Sequence, residues 1–144
     1  MTIYLVNIIA RHGIPESISA TYYKTEAKWL MPACVGGSAV LALVPLMNHT
    51  PENYKFIAFL IVASILFVAS APAFKDGLER KVHFGAASLL GVTTLTWLIL
   101  TSGVPWIAVV GIITALIDRK HFIFWLEAGL LYNLYFVLLL DIPP

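Results

Sequence analysis

What most constrains this chain is a succession of five apolar runs, residues 27–47, 56–74, 82–100, 106–117 and 122–140, divided by short polar breaks. A soluble domain carries about 25% charged residues. Here the share is 12%, which leaves too little polar surface to cover a globule in water. The mean hydropathy of +0.87 points the same way. The runs are too long for ordinary strands and do not alternate, so neither a soluble sheet nor a lipid-facing barrel fits. Inside lipid every backbone polar group must be paired within the protein, and that leaves helices. The expected fold class is therefore all-α: a polytopic transmembrane helical bundle forming a single integral membrane domain over residues 1–144, with no internal repeat.

The first residues are different. Residues 1–10 would make a helix of about 15 Å, half of the roughly 30 Å hydrocarbon core. The first basic residue, Arg11, follows this apolar stretch instead of preceding it, so the pattern is not that of a signal peptide. The reading is a short interfacial or docked helix over residues 1–12, ended near Gly13 and Pro15. The run at 106–117 is short for a crossing.

Orientation follows from the nine Lys and Arg residues. With five crossings, Arg11, Lys24, Lys28, Lys75, Arg80, Lys81, Arg119 and Lys120 fall on one side and only Lys55 on the other. The positive-inside rule then puts the N-terminus in the cytoplasm and the C-terminus outside. A net charge of +1 gives no basic face for nucleic acid. The partners expected are the lipid bilayer itself, further copies of the chain, and another membrane protein. Small residues four apart (Ala33 and Gly37, Ala69 and Ala73, Ala87 and Gly91, Gly111 and Ala115) suit close helix packing, within one bundle or between copies. Cys34, the single cysteine, reads as a small packing residue.

Polar residues that stand out gather on the expected inner side. The segment PESISATYYK, residues 15–24, is hydroxyl-rich in a chain otherwise suited to lipid. Ser17 or Ser19 can cap a following helix, and Tyr22 and Tyr23 suit an interfacial belt. Glu127 lies about five residues into the last run, roughly 8 Å deep. A carboxylate there is costly and faces a bundle interior, water or a partner, so it reads either as an ion, proton or ligand site or as a structural hydrogen-bonding group. Asn133 points about 120° away from it and reads as glue between helices. Trp125, Ala128, Tyr132 and Tyr135 share a face that reads as packing or as the wall of an apolar groove. His83 stands at the start of the third run. Metal binding would need His83, Asp76 and His121, with His12, Asp118 or Glu127 as further donors, but no His pair has the helical spacing of a zinc site. Ser17 or Ser19 with His83 and an acid would make a nucleophile set if the fold brought them together.

The segments SISATYY and FVASAPAFKDGLERKVHFGAA resemble a family of small multi-pass membrane proteins of bacteria and phages marked by SIS-x-x-YY, an A-P-A-F-type segment and a following His. The resemblance covers residues 14–90 and implies a bacterial inner membrane. It implies that Ser17, Ser19, Tyr22, Tyr23, Pro72 and His83 belong together on the inner side, and it implies no activity. A more distant similarity is to intramembrane metal-dependent hydrolases, whose paired late-helix histidines this chain lacks.

Three functions fit these residues. The first is a non-enzymatic oligomeric channel or transport-type bundle with an inner-leaflet polar site of Ser17, Ser19, Tyr22, Tyr23, His83 and Glu127. The second is a metal-dependent hydrolase acting on lipid. The third is a scaffold or modulator of another membrane protein. No complete catalytic set is visible and no cofactor is implied.

Overall fold

The computed structural model describes residues 1–75 and 77–140. Among them every regular element is helical: α1 (Thr2–His12), α2 (Leu30–His49), α3 (Lys55–Ser70), α4 (Gly77–Ser102), α5 (Trp106–Ile117) and α6 (Phe122–Leu140), with single 3-10 turns at Ser19–Tyr23, Glu52–Tyr54 and Arg119–His121. Four helical stretches, Leu30–His49, Glu52–Ser70, Gly77–Ser102 and Arg119–Leu140, are long and apolar enough to cross a membrane. The protein is in this sense an integral membrane protein. With 12 residues, α5 is shorter.

Element ends follow local chemistry. The first apolar run was expected to be helical from 27, but α2 starts at Leu30 and continues to His49. Residues 27–29 instead form a turn, in which the Ala27 carbonyl accepts from the Leu30 N–H at 3.1 Å. The second run was expected to reach 74, yet α3 stops at Ser70. Pro72 lacks an N–H and pushes the residue before it out of helical geometry. The third run is longer than expected, opening at Gly77. Within the helices, hydroxyls bond back to their own chain: Thr93 to the Leu89 carbonyl, Thr101 to Trp97, Ser102 to Leu98 and Thr114 to Val110. This pairing lets polar residues sit in apolar helices without leaving an unmet donor.

The chain packs as α2 on α3, α3 on α4, and α5 on α6, with lighter contact from α4 and α2 to α6. The main core joins Met31, Val35, Ala39 and Leu46 of α2 to Ile61, Ile65 and Val68 of α3, Trp97 and Leu98 of α4, and Leu134 and Val137 of α6. At one end of this core the Trp97 indole N–H donates to Thr50 Oγ1 at 2.7 Å, and the Thr50 hydroxyl donates to the Leu46 carbonyl at 2.6 Å. A second core holds α1 down. Leu5 packs with Ile18, Phe124 and Ala128, so the N-terminal helix docks on α6 and on the segment after it.

Among the described glycines the closest helix contact is that of α5 with α6. Gly111 and Gly129 face each other so closely that a Cβ on Gly111 would stand 2.7 Å from the Gly129 Cα. Asn133 Oδ1 accepts the N–H groups of Ile107 and Ala108 at 2.9 and 3.2 Å. These are first-turn donors of α5, which no intrahelical acceptor can reach. Asn133 is therefore glue between helices of a specific kind, a cap supplied from the neighbouring helix. Of the four small-residue pairs, Gly111 and Ala115 are buried, whereas Ala33 and Gly37 are exposed. Cys34 is half-buried on α2.

Candidate functional site

The segment between α1 and α2 is a strap tied to α6 and α1 by backbone groups. Gly13 takes φ 73°, a left-handed conformation that glycine adopts without strain. It turns the chain so that Pro15 is buried. The Glu16 carbonyl then accepts the N–H of Phe124 at 3.1 Å, capping the start of α6. Two residues on, the Ile18 N–H donates to Glu127 Oε2 at 2.5 Å. The Ser17 hydroxyl accepts the Ala20 N–H at 3.0 Å, which starts the 3-10 turn Ser19–Tyr23. Inside that turn the Thr21 hydroxyl donates to the Ile18 carbonyl and accepts the Tyr4 phenol at 2.8 Å. Burial pushes the Tyr4 phenol above its usual pKa.

The strap closes one side of a cavity of about 550 Å³. Its walls are mainly apolar, with Val35, Ile65, Val68, Leu130 and Leu134 among them. The polar residues that line it are Glu16, Ser17 and Ser19 of the strap, Ser38 of α2, His83, Ser88 and Thr94 of α4, and Glu127 of α6. Glu127 is enclosed by neighbouring elements yet keeps some accessible surface, and that surface faces the cavity. His83 is buried, and its Nδ1 lies 2.9 Å from the Ala71 carbonyl, to which it donates. In the neutral ring that bond leaves Nε2 without a proton. Thr94 is 2% exposed and its hydroxyl has no hydrogen-bond partner. One turn further along α4 stands fully buried Trp97, and one turn beyond Leu134 on α6 stands Val137. Both belong to the packed core, so the cavity is blind at that end.

Four of the six residues singled out from sequence, Ser17, Ser19, His83 and Glu127, line this one cavity. Tyr22 and Tyr23 do not. They pack edge to face at 5.1 Å, and Tyr23 meets Phe74 at 5.2 Å. The Lys28 ammonium lies 5.2 Å from the Tyr22 ring, and Lys75 lies 4.6 Å from the Tyr23 ring. The Tyr23 hydroxyl also accepts the Lys75 N–H at 3.1 Å. The tyrosines thus fasten the strap to the turn after α3 and hold cations at the rim. That turn, which contains Pro72, is tied to α4 as well: the Ala73 N–H donates to Glu79 Oε2 at 3.1 Å.

The candidate metal ligands do not assemble. His121 Nδ1 pairs with Asp118 Oδ2 at 2.8 Å, and the Trp125 indole N–H donates to the same oxygen at 3.1 Å. These bonds, that from Trp125 foremost, hold the Asp118 carboxyl below its usual pKa. Neither Asp118 nor His121 lines the cavity, and His12 is exposed at the end of α1. Asp76 lies outside the described residues. Among the described residues no three His, Cys, Asp or Glu side chains are placed to hold a metal ion.

Sequence reasoning missed Glu16, Ser38, Ser88 and Thr94 as lining residues, and it missed the aromatic corner of Phe74, His83 and Phe84, where Phe74 and His83 rings lie 4.8 Å apart. Their polar atoms carried no motif. An i, i+4 count from Phe84 along α4 reaches Ser88 and, after a slip to i+3, Gly91 and Thr94, a face that ends at the closed end of the cavity. Compared with known proteins, the chain matches no family model, no curated protein and no solved structure.

Proposed function

We propose that the chain is a multi-pass membrane protein that holds an apolar or amphiphilic small molecule at its inner end, as the binding step of a transport-type function. The observation that carries this reading is the blind cavity. It is about 550 Å³ in volume, apolar over most of its wall, and furnished with a few convergent polar groups. Small-molecule sites have that composition and a size of about 300–1,000 Å³. An ion path through a single copy is a poorer fit, because the Trp97, Leu98 and Val137 layer is fully packed beyond Thr94 and Leu134. One copy supplies every residue that lines the cavity, so the reading needs neither an oligomer nor a partner protein.

The same proposal takes five crossings with the N-terminus cytoplasmic. It counts α5 with the turn at 103–105 as the fourth. Twelve residues of helix give about 18 Å, which is half a bilayer. The capped first turn of α5 meets α6 at Asn133, eleven residues past Phe122 and thus about 16 Å along that helix. A helix end with its donors satisfied by Asn133 can rest at that depth. The cavity then lies toward the inner leaflet, on the side where eight of the nine Lys and Arg residues fall.

Native mass spectrometry of the detergent-purified protein tests the binding reading. The wild-type chain is expected to retain a small molecule that Gly91→Leu excludes. Gly91 lines the cavity and a Cβ there meets nothing within 4 Å, so the larger side chain fills space without disturbing the fold. Equal adduct patterns in wild type and Gly91→Leu would refute it. For the topology, with Cys34 replaced by Ala, a lone cysteine at exposed Asn53 should label only from outside and one at exposed Glu26 only from inside; labelling of both from one side would sink the five-crossing arrangement.

A further inference from the structure

The cavity's ionisable groups bear on the charge of its occupant, and this step rests on the binding reading above. Two acidic residues, Glu16 and Glu127, and one imidazole, His83, line it together with Met1, which carries the one amino group of the lining, while no Lys or Arg does. That is notable in position, because Lys24, Lys28, Lys75, Arg80 and Lys81 are close in sequence to the lining segments. Two of these cations are engaged at the tyrosines of the strap, and the Arg80 guanidinium lies 6.0 Å from the Phe84 ring. The Lys28 ammonium donates to the Tyr22 carbonyl at 3.1 Å, and Lys75 lies over Tyr23.

We propose that the cavity takes a lipophilic cation: an apolar, preferably aromatic body bearing an amine, quaternary ammonium or phosphonium centre. Four observations converge on this class. The carboxylate of Glu127 is fixed by the Ile18 N–H, so it is held in place before any ligand arrives. Glu16 lines the same cavity from the strap, whose backbone is pinned to Phe124. Phe74 and Phe84 line the same space with their rings 6.0 Å apart at 80°, and aromatic faces attract a cation. At the closed end, the unpartnered hydroxyl of Thr94 marks a wall that still has a hydrogen-bonding atom to satisfy. In a low-dielectric cavity an anionic occupant would meet two acidic side chains with only the Met1 amino group among the lining residues to offset them, whereas a cation favours the charged form of both acids and meets two aromatic faces.

Tetraphenylphosphonium and tetraphenylborate share size and shape and differ in the sign of their charge. Their binding to the full chain in nanodiscs of zwitterionic lipid, corrected for partition into empty discs, separates the possibilities. Saturable binding of the phosphonium alone is expected. Gly91→Leu should abolish it. Glu127→Gln and Glu16→Gln should each weaken it by about tenfold or more. Because the Glu16 side chain is exposed at the mouth and only its carbonyl caps α6, Glu16→Gln keeps the test valid if Glu127→Gln disturbs the strap. Saturable binding of both ions with equal affinity, each blocked by Gly91→Leu, would overturn the charge assignment and leave the binding reading standing. Saturable phosphonium binding that Gly91→Leu does not reduce would overturn both. No saturable binding of the phosphonium would overturn the charge assignment, with the native mass measurement deciding the binding reading separately.

Discussion

Gly111→Ala gives the sharpest test of how α5 is held. A Cβ at Gly111 would stand 2.7 Å from the Gly129 Cα and 2.8 Å from the Trp125 carbonyl oxygen. Both are backbone atoms, so no side chain can swing aside. Ordinary contact starts near 3.4 Å, and the shortfall between 2.7 and 3.4 Å means the two helices must part by about 0.7 Å. A gap of that size forfeits a quarter to a half of each dispersion contact across the interface. It also lengthens the two bonds from Ile107 and Ala108 to Asn133, now 2.9 and 3.2 Å. Overpacking of this kind costs about 1–3 kcal/mol. Alanine is itself a better helix former than glycine by up to about 1 kcal/mol, which offsets part of the loss. The proper reference is therefore Gly37→Ala, which receives the same benefit and whose Cβ meets nothing within 4 Å. Against that reference Gly111→Ala should be less stable by about 1–3 kcal/mol in reversible SDS unfolding followed by circular dichroism. Gly129→Ala should behave alike, since its Cβ would stand 2.9 Å from the Gly111 Cα, and the double variant should lose less than the sum because one separation relieves both contacts. Equal stabilities for Gly111→Ala and Gly37→Ala would refute the backbone contact between α5 and α6.

Three further outcomes can be checked in the same assay. Asn133→Leu strips the acceptor from two α5 donors and should cost about 1–3 kcal/mol, with faster hydrogen exchange at Ile107 and Ala108 than in wild type; unchanged exchange would count against the cap. Ser64→Ala removes a buried hydroxyl that has no partner and should be neutral or stabilising, so a loss beyond about 1 kcal/mol would show a bond absent from this structure. The Asp118 carboxyl is held below its ordinary value of 3.8 by the Trp125 and His121 bonds, so its contribution is fully present above that value and is lost as pH falls through the lower folded value. Wild type should therefore lose stability below about pH 4 more steeply than Asp118→Asn, and parallel acid profiles would refute the role of these bonds.

The membrane-helix architecture was legible because the signal is physical and local. Runs without charge must be helical in lipid, and the starts and stops of α5 and α6 fall where the apolar runs begin and end. The end of α3 was misjudged by four residues, since apolarity continues to Phe74 although Pro72 has already ended the helix. Hydropathy reports where lipid is tolerated, whereas helix ends depend on backbone donors. The role of Asn133 as interhelical glue was legible too, because an amide at that depth must find a partner. Which partner it finds was not, since the choice of Ile107 and Ala108 depends on where α5 starts against α6.

The cavity shows the same division at larger separation. That Glu127 needs a partner follows from its depth, but the partner is the Ile18 backbone N–H, 109 residues earlier in the chain. A backbone donor has no side chain and leaves no mark in the sequence, so no spacing rule points to it. What exposes that N–H is the strap: Gly13 turns the chain, buried Pro15 cannot donate, and the Ser17 hydroxyl takes Ala20, which leaves Ile18 directed at α6. The hydroxyls that looked like site chemistry in PESISATYYK thus serve largely to shape the strap, and the strap in turn orients Glu127. This makes the Glu127 carboxylate both a structural tie and a cavity group. The two roles separate in one comparison. If the tie matters only to the fold, Thr21→Val, which removes the bonds to Tyr4 and to the Ile18 carbonyl at a residue outside the cavity lining, should lower stability and leave ligand affinity unchanged. If strap geometry sets the carboxylate's position in the cavity, affinity should fall along with stability.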